Sequence, residues 1–103
     1  MTRYPIILAH GLGVTDQGGL YTPWGRVPDL LRARGAVVYL GGQDAWGSIE
    51  TGAAQLARTV RRVLREQGCR RVNIIAHSKG GLEARYLISN MGYGRYIASL
   101  SML

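Results

Sequence analysis

At 103 residues and 11.3 kDa the chain has the size of one compact domain and not of two. A hydrophobic fraction of 47%, a mean hydropathy of -0.01 and only 18% charged residues exclude a disordered chain, which needs low hydrophobicity and high charge. No apolar run approaches the roughly 18 to 20 residues that span a bilayer.

In chain order, Tyr4-Pro5-Ile6-Ile7-Leu8-Ala9 is a continuous apolar run that reads as a strand buried on both faces, ending in His10-Gly11-Leu12-Gly13. The glycine-rich, aperiodic stretch from Val14 to Pro23 reads as a long surface loop. A helix is predicted to start between Trp24 and Pro28, with Val27, Leu30 and Leu31 on one face and Gly35 placed to end it. Ala36 to Leu40 is a second strand, stopped by Gly41-Gly42. Ser48 can cap the next helix, with Glu50 in its first turn and Ala53, Leu56, Ala57, Val60, Val63 and Leu64 at helical spacing. Gly68 closes it. Arg71 to Ala76 is a third strand that runs almost directly into a helix, on which Gly81, Ala84, Leu87, Ile88 and Met91 share a face. Asn90 to Gly94 stop that helix, and Arg95 to Leu103 read as the start of a fourth strand. Strand and helix in regular alternation predict a parallel sheet wrapped by helices, of order β-α-β-α-β-α-β.

Thirteen Lys and Arg against six Asp and Glu give a net charge of +7, and Lys79 is the only lysine. The densest basic run, Arg58, Arg61, Arg62, Arg65, Arg70 and Arg71, lies on and just beyond one helix, opposite its apolar stripe. Neither a basic helix-turn-helix nor an aromatic platform accompanies it, so it reads as a solvated face with no nucleic-acid partner. Cys69 stands alone and can form no internal disulfide. The first residues carry no signal-peptide core, which predicts a cytoplasmic chain as written; an upstream start could add a secretion signal.

Ligands of parallel α/β sheets collect outside the carboxyl ends of the strands. There the sequence places His10 to Gly13, Gln43 to Trp46, and the segment Ala76-His77-Ser78-Lys79-Gly80. The last is a variant of G-x-S-x-G, in which a sharp strand-to-helix turn lifts a serine hydroxyl above the sheet. Ala76 and Gly80, two positions either side of Ser78, must be small at such a corner, and Gly81 lets the helix approach the sheet. A nucleophilic serine also needs oxyanion donors, each worth about 100- to 1000-fold in rate. The backbone amides of Lys79 and Leu12 are the candidates, provided the first and third strands lie side by side.

These segments together resemble the N-terminal part of an α/β-hydrolase, similar to the bacterial triacylglycerol lipases. Tyr4 to Gly13 resembles their oxyanion-loop segment, Arg34 to Tyr39 their second segment, and Val72 to Tyr86 their elbow and following helix. The resemblance implies an incomplete α/β-hydrolase fold in which residues 1–103 form the N-terminal part of one domain. By position it makes Ser78 the nucleophile, gives the oxyanion amides to Leu12 and Lys79, and lets His10 shape the oxyanion loop. The chain departs from the pattern at Ala76, where many members have glycine. In the family the acid and the histidine follow the serine in chain order, and neither is reached by Leu103. His77 should point away from Ser78 across the strand, and His10 is the nearer improvised base. The isolated chain is therefore expected to be nearly inert. The implied substrate is a lipid or small ester, with transient contact at a lipid interface and a complementing C-terminal chain both admitted. No cofactor is expected in this chain, although a complete family member could carry a structural calcium.

Rival readings remain at each position. Ser78 could be an ordinary helix cap, and His10-Gly11 a simple turn. Tyr21, Trp24, Asp44 and Trp46 could contact an acyl chain or only pack. The charge of Lys79 is read as solvated, and Glu83 and Arg85 as surface or structural polar groups. The abrupt end in an apolar strand allows a non-catalytic remnant whose open sheet edge awaits a partner chain. Dinucleotide binding at Gly11-Leu12-Gly13 fails, because Asp16 stands where G-x-G-x-x-G wants glycine or alanine.

Overall fold

The computed structural model describes residues 4–9, 31–41, 48–77 and 79–102. Four parallel strands form one sheet in the order β2-β1-β3-β4, with β1 Ile6–Ala9, β2 Val38–Leu40, β3 Val72–Ala76 and β4 Ile97–Met102. Two α-helices are described: α1, Ile49–Gln67, joins β2 to β3, and α2, Lys79–Ser89, follows β3. Residues 31–33 are helical and turn at Gly35, whose φ of 89° is the left-handed value expected of a glycine that ends a helix. The start of that first helix, the Val14 to Pro23 loop and the Gln43 to Gly47 loop lie outside the described residues.

The two inner strands are in register through Ile6–Asn73, Ile7–Ile74, Leu8–Ile75 and Ala9–Ala76. As expected of a strand covered on both sides, β1 is buried throughout. Ile7 and Ala9 join Val72, Ile74 and Ala76 against α1 and α2, while Ile6 and Leu8 pack with Ala36, Val38, Leu31 and Ile75 on the other face. One sheet therefore carries two apolar layers.

Helix α1 is fixed at both ends as its sequence requires. The Ser48 hydroxyl accepts from the Thr51 amide at 3.1 Å, and Gly68 closes the helix in the left-handed region with its N–H bonded to the Leu64 carbonyl. Leu56, Ala57, Val60 and Val63 are fully or almost fully buried, and Arg58, Arg61, Arg62 and Arg65 are exposed on the outer face. Two polar tethers bind its middle and last turns to β2. Thr59 Oγ1 donates to the Gly41 carbonyl at 2.7 Å; the Tyr39 hydroxyl donates to Glu66 Oε1 and accepts from Gln67 Nε2, each at 2.9 Å.

At the far edge the sequence reading needs correction. A 3-10 turn, Tyr93–Tyr96, precedes β4, and its two tyrosine rings meet edge to face at 5.3 Å. The strand consequently begins at Ile97 rather than Arg95. Its pairing with β3 shifts register between Val72 and Asn73, and its residues are half-buried or exposed.

Leu56 sits at the centre of the larger apolar layer with no exposure. Leu56→Ala is expected to lower the unfolding free energy by about 2 to 5 kcal/mol in urea denaturation. Arg65→Ala on the exposed face should change it by less than about 0.5 kcal/mol.

Candidate active site

The strand order places a topological switch beside β1. The chain passes from β1 to β2 on one side, then crosses through α1 to β3 on the other side. Such a switch opens a crevice outside the carboxyl ends of the two flanking strands, where α/β proteins bind ligands. Here it lies between the ends of β1 and β3. Those ends are level: Ala9 pairs with Ala76, and the His77 N–H donates to the Ala9 carbonyl at 3.0 Å. The end of β1 at Ala9 is therefore directly alongside the start of the β3–α2 junction at His77.

Only two residues, His77 and Ser78, separate β3 from α2. The turn is closed by a hydrogen bond from the Gly80 N–H to the His77 carbonyl at 3.0 Å. Ala76 is fully buried beneath the corner, and Gly80 and Gly81 are buried in the first turn of α2. These are the small residues that the sharp corner needs. Ser78 itself, and with it the reading of its hydroxyl as the nucleophile, falls outside the described residues. So do His10, Gly11 and Leu12, and the loop residues Tyr21, Trp24, Asp44 and Trp46. What the described residues give is the frame on either side of them.

Gly81 brings α2 close to the sheet at its edge strand β4. A Cβ there would lie 2.8 Å from Met102 Cε, so its neighbour is the flexible tip of a side chain on β4.

The Lys79 reading is corrected, and of the two readings of Glu83 the structural one holds. Lys79 opens α2 with its side chain only 15% exposed, and its Nζ lies 3.4 Å from Glu83 Oε2. Its charge is held in an ion pair and not simply solvated. Glu83 is 1% exposed, so it is no surface group, whereas Arg85 is exposed. The Glu83 carboxylate lies over α1 at Gly52, where an added Cβ would fall 1.6 Å from Oε2. Removing one partner of such a buried pair typically costs about 3 to 5 kcal/mol, because the other charge is left uncompensated. The signal was in the spacing: Glu83 follows Gly80 by three residues and precedes Leu87 by four, on the buried stripe of α2. A Lys-Glu pair four apart instead reads as a solvent-facing one.

Among the described residues, no group of three or more His, Cys, Asp and Glu side chains could hold a metal ion. No described helix is long and apolar enough to cross a membrane.

No protein-family model matches the chain. In sequence it is 38% identical over 90 residues to a triacylglycerol lipase of Pseudarthrobacter phenanthrenivorans, covering 84% of this chain and 28% of that protein. A triacylglycerol lipase of Vibrio cholerae is 39% identical over 88 residues, covering 85% of this chain and 28% of the relative. Triacylglycerol lipase 2 of Saccharomyces cerevisiae is 36% identical over 85 residues, covering 78% and 26%. The chain thus spans under a third of the length of the curated relatives it matches. In structure it superposes on the mature form of a Bacillus licheniformis lipase with a TM-score of 0.82 at 19% identity, covering 96% of this chain and 39% of that one. An extracellular α/β-hydrolase of a Paenibacillus species gives a TM-score of 0.65 at 18% identity, with the same coverages of 96% and 39%. With the parallel sheet and its switch crevice, these likenesses identify the chain as part of an α/β-hydrolase fold, homologous to a segment of the triacylglycerol lipases.

Proposed function

We propose that the chain supplies the nucleophile and the oxyanion hole of a lipase- or esterase-type serine hydrolase. One observation carries the reading. The two-residue junction His77-Ser78 between β3 and α2 adjoins the end of β1, the strand that leads into His10-Gly11-Leu12, and the motif puts a serine there. The names of the sequence relatives favour carboxylic esters, acylglycerols among them, as substrates.

The reaction is acyl transfer. Ser78 Oγ attacks the ester carbonyl carbon as its proton passes to a histidine supplied by the remainder of the hydrolase. The Leu12 and Lys79 amides hold the negative oxygen of the tetrahedral intermediate. Collapse breaks the bond to the alkoxy oxygen, which leaves as the alcohol with the proton from that histidine. Water then attacks the acyl-serine in the same way and frees the acid. Placing Lys79 at the first position of α2 suits this role, since amide N–H groups of a first helical turn have no partner within the helix and face outward with the positive end of the dipole.

In the hydrolase that carries this segment, Ser78→Ala is expected to lower kcat on p-nitrophenyl butyrate on the order of a million-fold and to abolish labelling by a fluorophosphonate probe. Labelling that survives the substitution removes Ser78 from the role. The 103-residue chain alone should hydrolyse the same ester no faster than buffer. Turnover by the chain alone that disappears with His10→Ala would reveal an improvised base within it.

A further inference from the structure

We infer that Glu83 is a positioning residue for the oxyanion hole, a role that rests on the hydrolase reading above. Its carboxylate, buried against Gly52 of α1, holds the Lys79 side chain and so fixes the first residue of α2, whose backbone N–H faces the reacting carbonyl.

Four features of the pair oppose the stability of an isolated helix. A lysine opens α2, where the positive end of the helix dipole disfavours a cation, and the first turn has no acidic residue to offset it. Lys79 precedes Glu83 by four residues, the less favourable order for a helical ion pair. Glu83 is 1% exposed, so its carboxylate has given up its water. Gly52 stands inside α1, where alanine would favour the helix. A Cβ at Gly52 would lie 1.6 Å from Oε2, so any other residue there obliges the Glu83 carboxylate to move.

These features share one geometric outcome. The carboxylate is wedged between α1 and α2, so the Lys79 ammonium 3.4 Å away is referred to α1 and not only to its own helix. The first turn of α2 is thereby held from its side chain as well as through the Gly80 to His77 hydrogen bond. Rate depends steeply on such placement, since a misplacement of about 1 Å can cost about 100-fold.

The test is run in the hydrolase that carries the segment. Glu83→Gln keeps the shape and removes the charge. It is expected to lower kcat on p-nitrophenyl butyrate by about 10- to 100-fold with KM changed less than about threefold, and to weaken a boronic acid inhibitor in parallel with kcat/KM. Gly52→Ala displaces the carboxylate without deleting either charge and should lower kcat in the same way. Adding Glu83→Ala to Gly52→Ala removes the overlap but leaves Lys79 without its carboxylate, so kcat should stay low. If Glu83→Gln does not fold, the neutral pair Lys79→Met with Glu83→Gln takes its place, with the same expected loss in kcat. A kcat within about threefold of wild type in a folded Glu83→Gln or neutral-pair variant, or a kcat that recovers in the double variant, overturns the inference. Ser78→Ala separates the two levels. Activity that persists in Ser78→Ala sinks the hydrolase reading itself, whereas an inert Ser78→Ala beside a fully active Glu83→Gln sinks only the role of Glu83.

Discussion

The parallel pairing of β1 with β3 is the constraint on which the rest of the molecule depends. Because Ala9 lies opposite Ala76 and the His77 amide bonds to the Ala9 carbonyl, the two inner strands finish at one level. A shift of one residue would reverse the faces of every side chain on β1 and move the segment after it relative to the corner after β3. Continuous burial of Ile6 to Ala9 prevents that shift only in part, since both faces of β1 are apolar. The discrimination comes from neighbouring residue size. Small Ala9 and Ala76 sit side by side at the top, where α2 must come close, and larger Ile7 and Ile74 sit below them under α1 and α2.

Much of this frame was legible in the sequence because each signal has a local cause. Ser48 and Gly68 satisfy the end groups of α1, Gly35 adopts a positive φ that other residues resist, and the α1 stripe from Ala53 to Val63 has helical period. What was missed is set by contacts between elements. Tyr93 to Tyr96 form a 3-10 turn, with an edge-to-face ring pair and Arg61 donating to the Tyr93 hydroxyl. No periodicity of four residues can announce that. Whether Glu83 is a surface or a structural polar group is undecided by its own helix for a related reason: a carboxylate is buried only where a partner and a space exist, and the space lies at Gly52, thirty-one residues earlier.

The site divides along the same line. The small residues Ala76, Gly80 and Gly81 could be assigned from the motif, because a sharp corner imposes its own sterics within five residues. The treatment of Lys79 as a solvated charge failed because a helix N-terminus is ordinarily open to water and gives no local hint of a carboxylate from the next turn packed beneath a neighbouring helix. Ser78, Leu12, His10 and Gly11 lie outside the described residues, so their assignment rests on the motif and on the strand ends that flank them.

Helix α1 connects these two levels. Its middle and last turns are bound to β2 through Thr59 with Gly41 and through Glu66 and Gln67 with Tyr39, while its first turns meet the Glu83 carboxylate at Gly52. The helix runs back across the sheet from the end of β2 to the start of β3, so its first turn lies at the crevice edge and its last turn at the opposite edge. The exposed arginines at 58, 61, 62 and 65 occupy its middle and later turns, away from that first turn, and the Arg62–Glu66 pair at 3.9 Å is half exposed on both sides. Pairs of that kind contribute about 0 to 1 kcal/mol and leave the helix position almost unchanged. The buried carboxylate at the other end has no such latitude. It lies against the Gly52 backbone of α1 on one side and the Lys79 ammonium on the other, so it ties the residue that opens α2 to the first turns of α1.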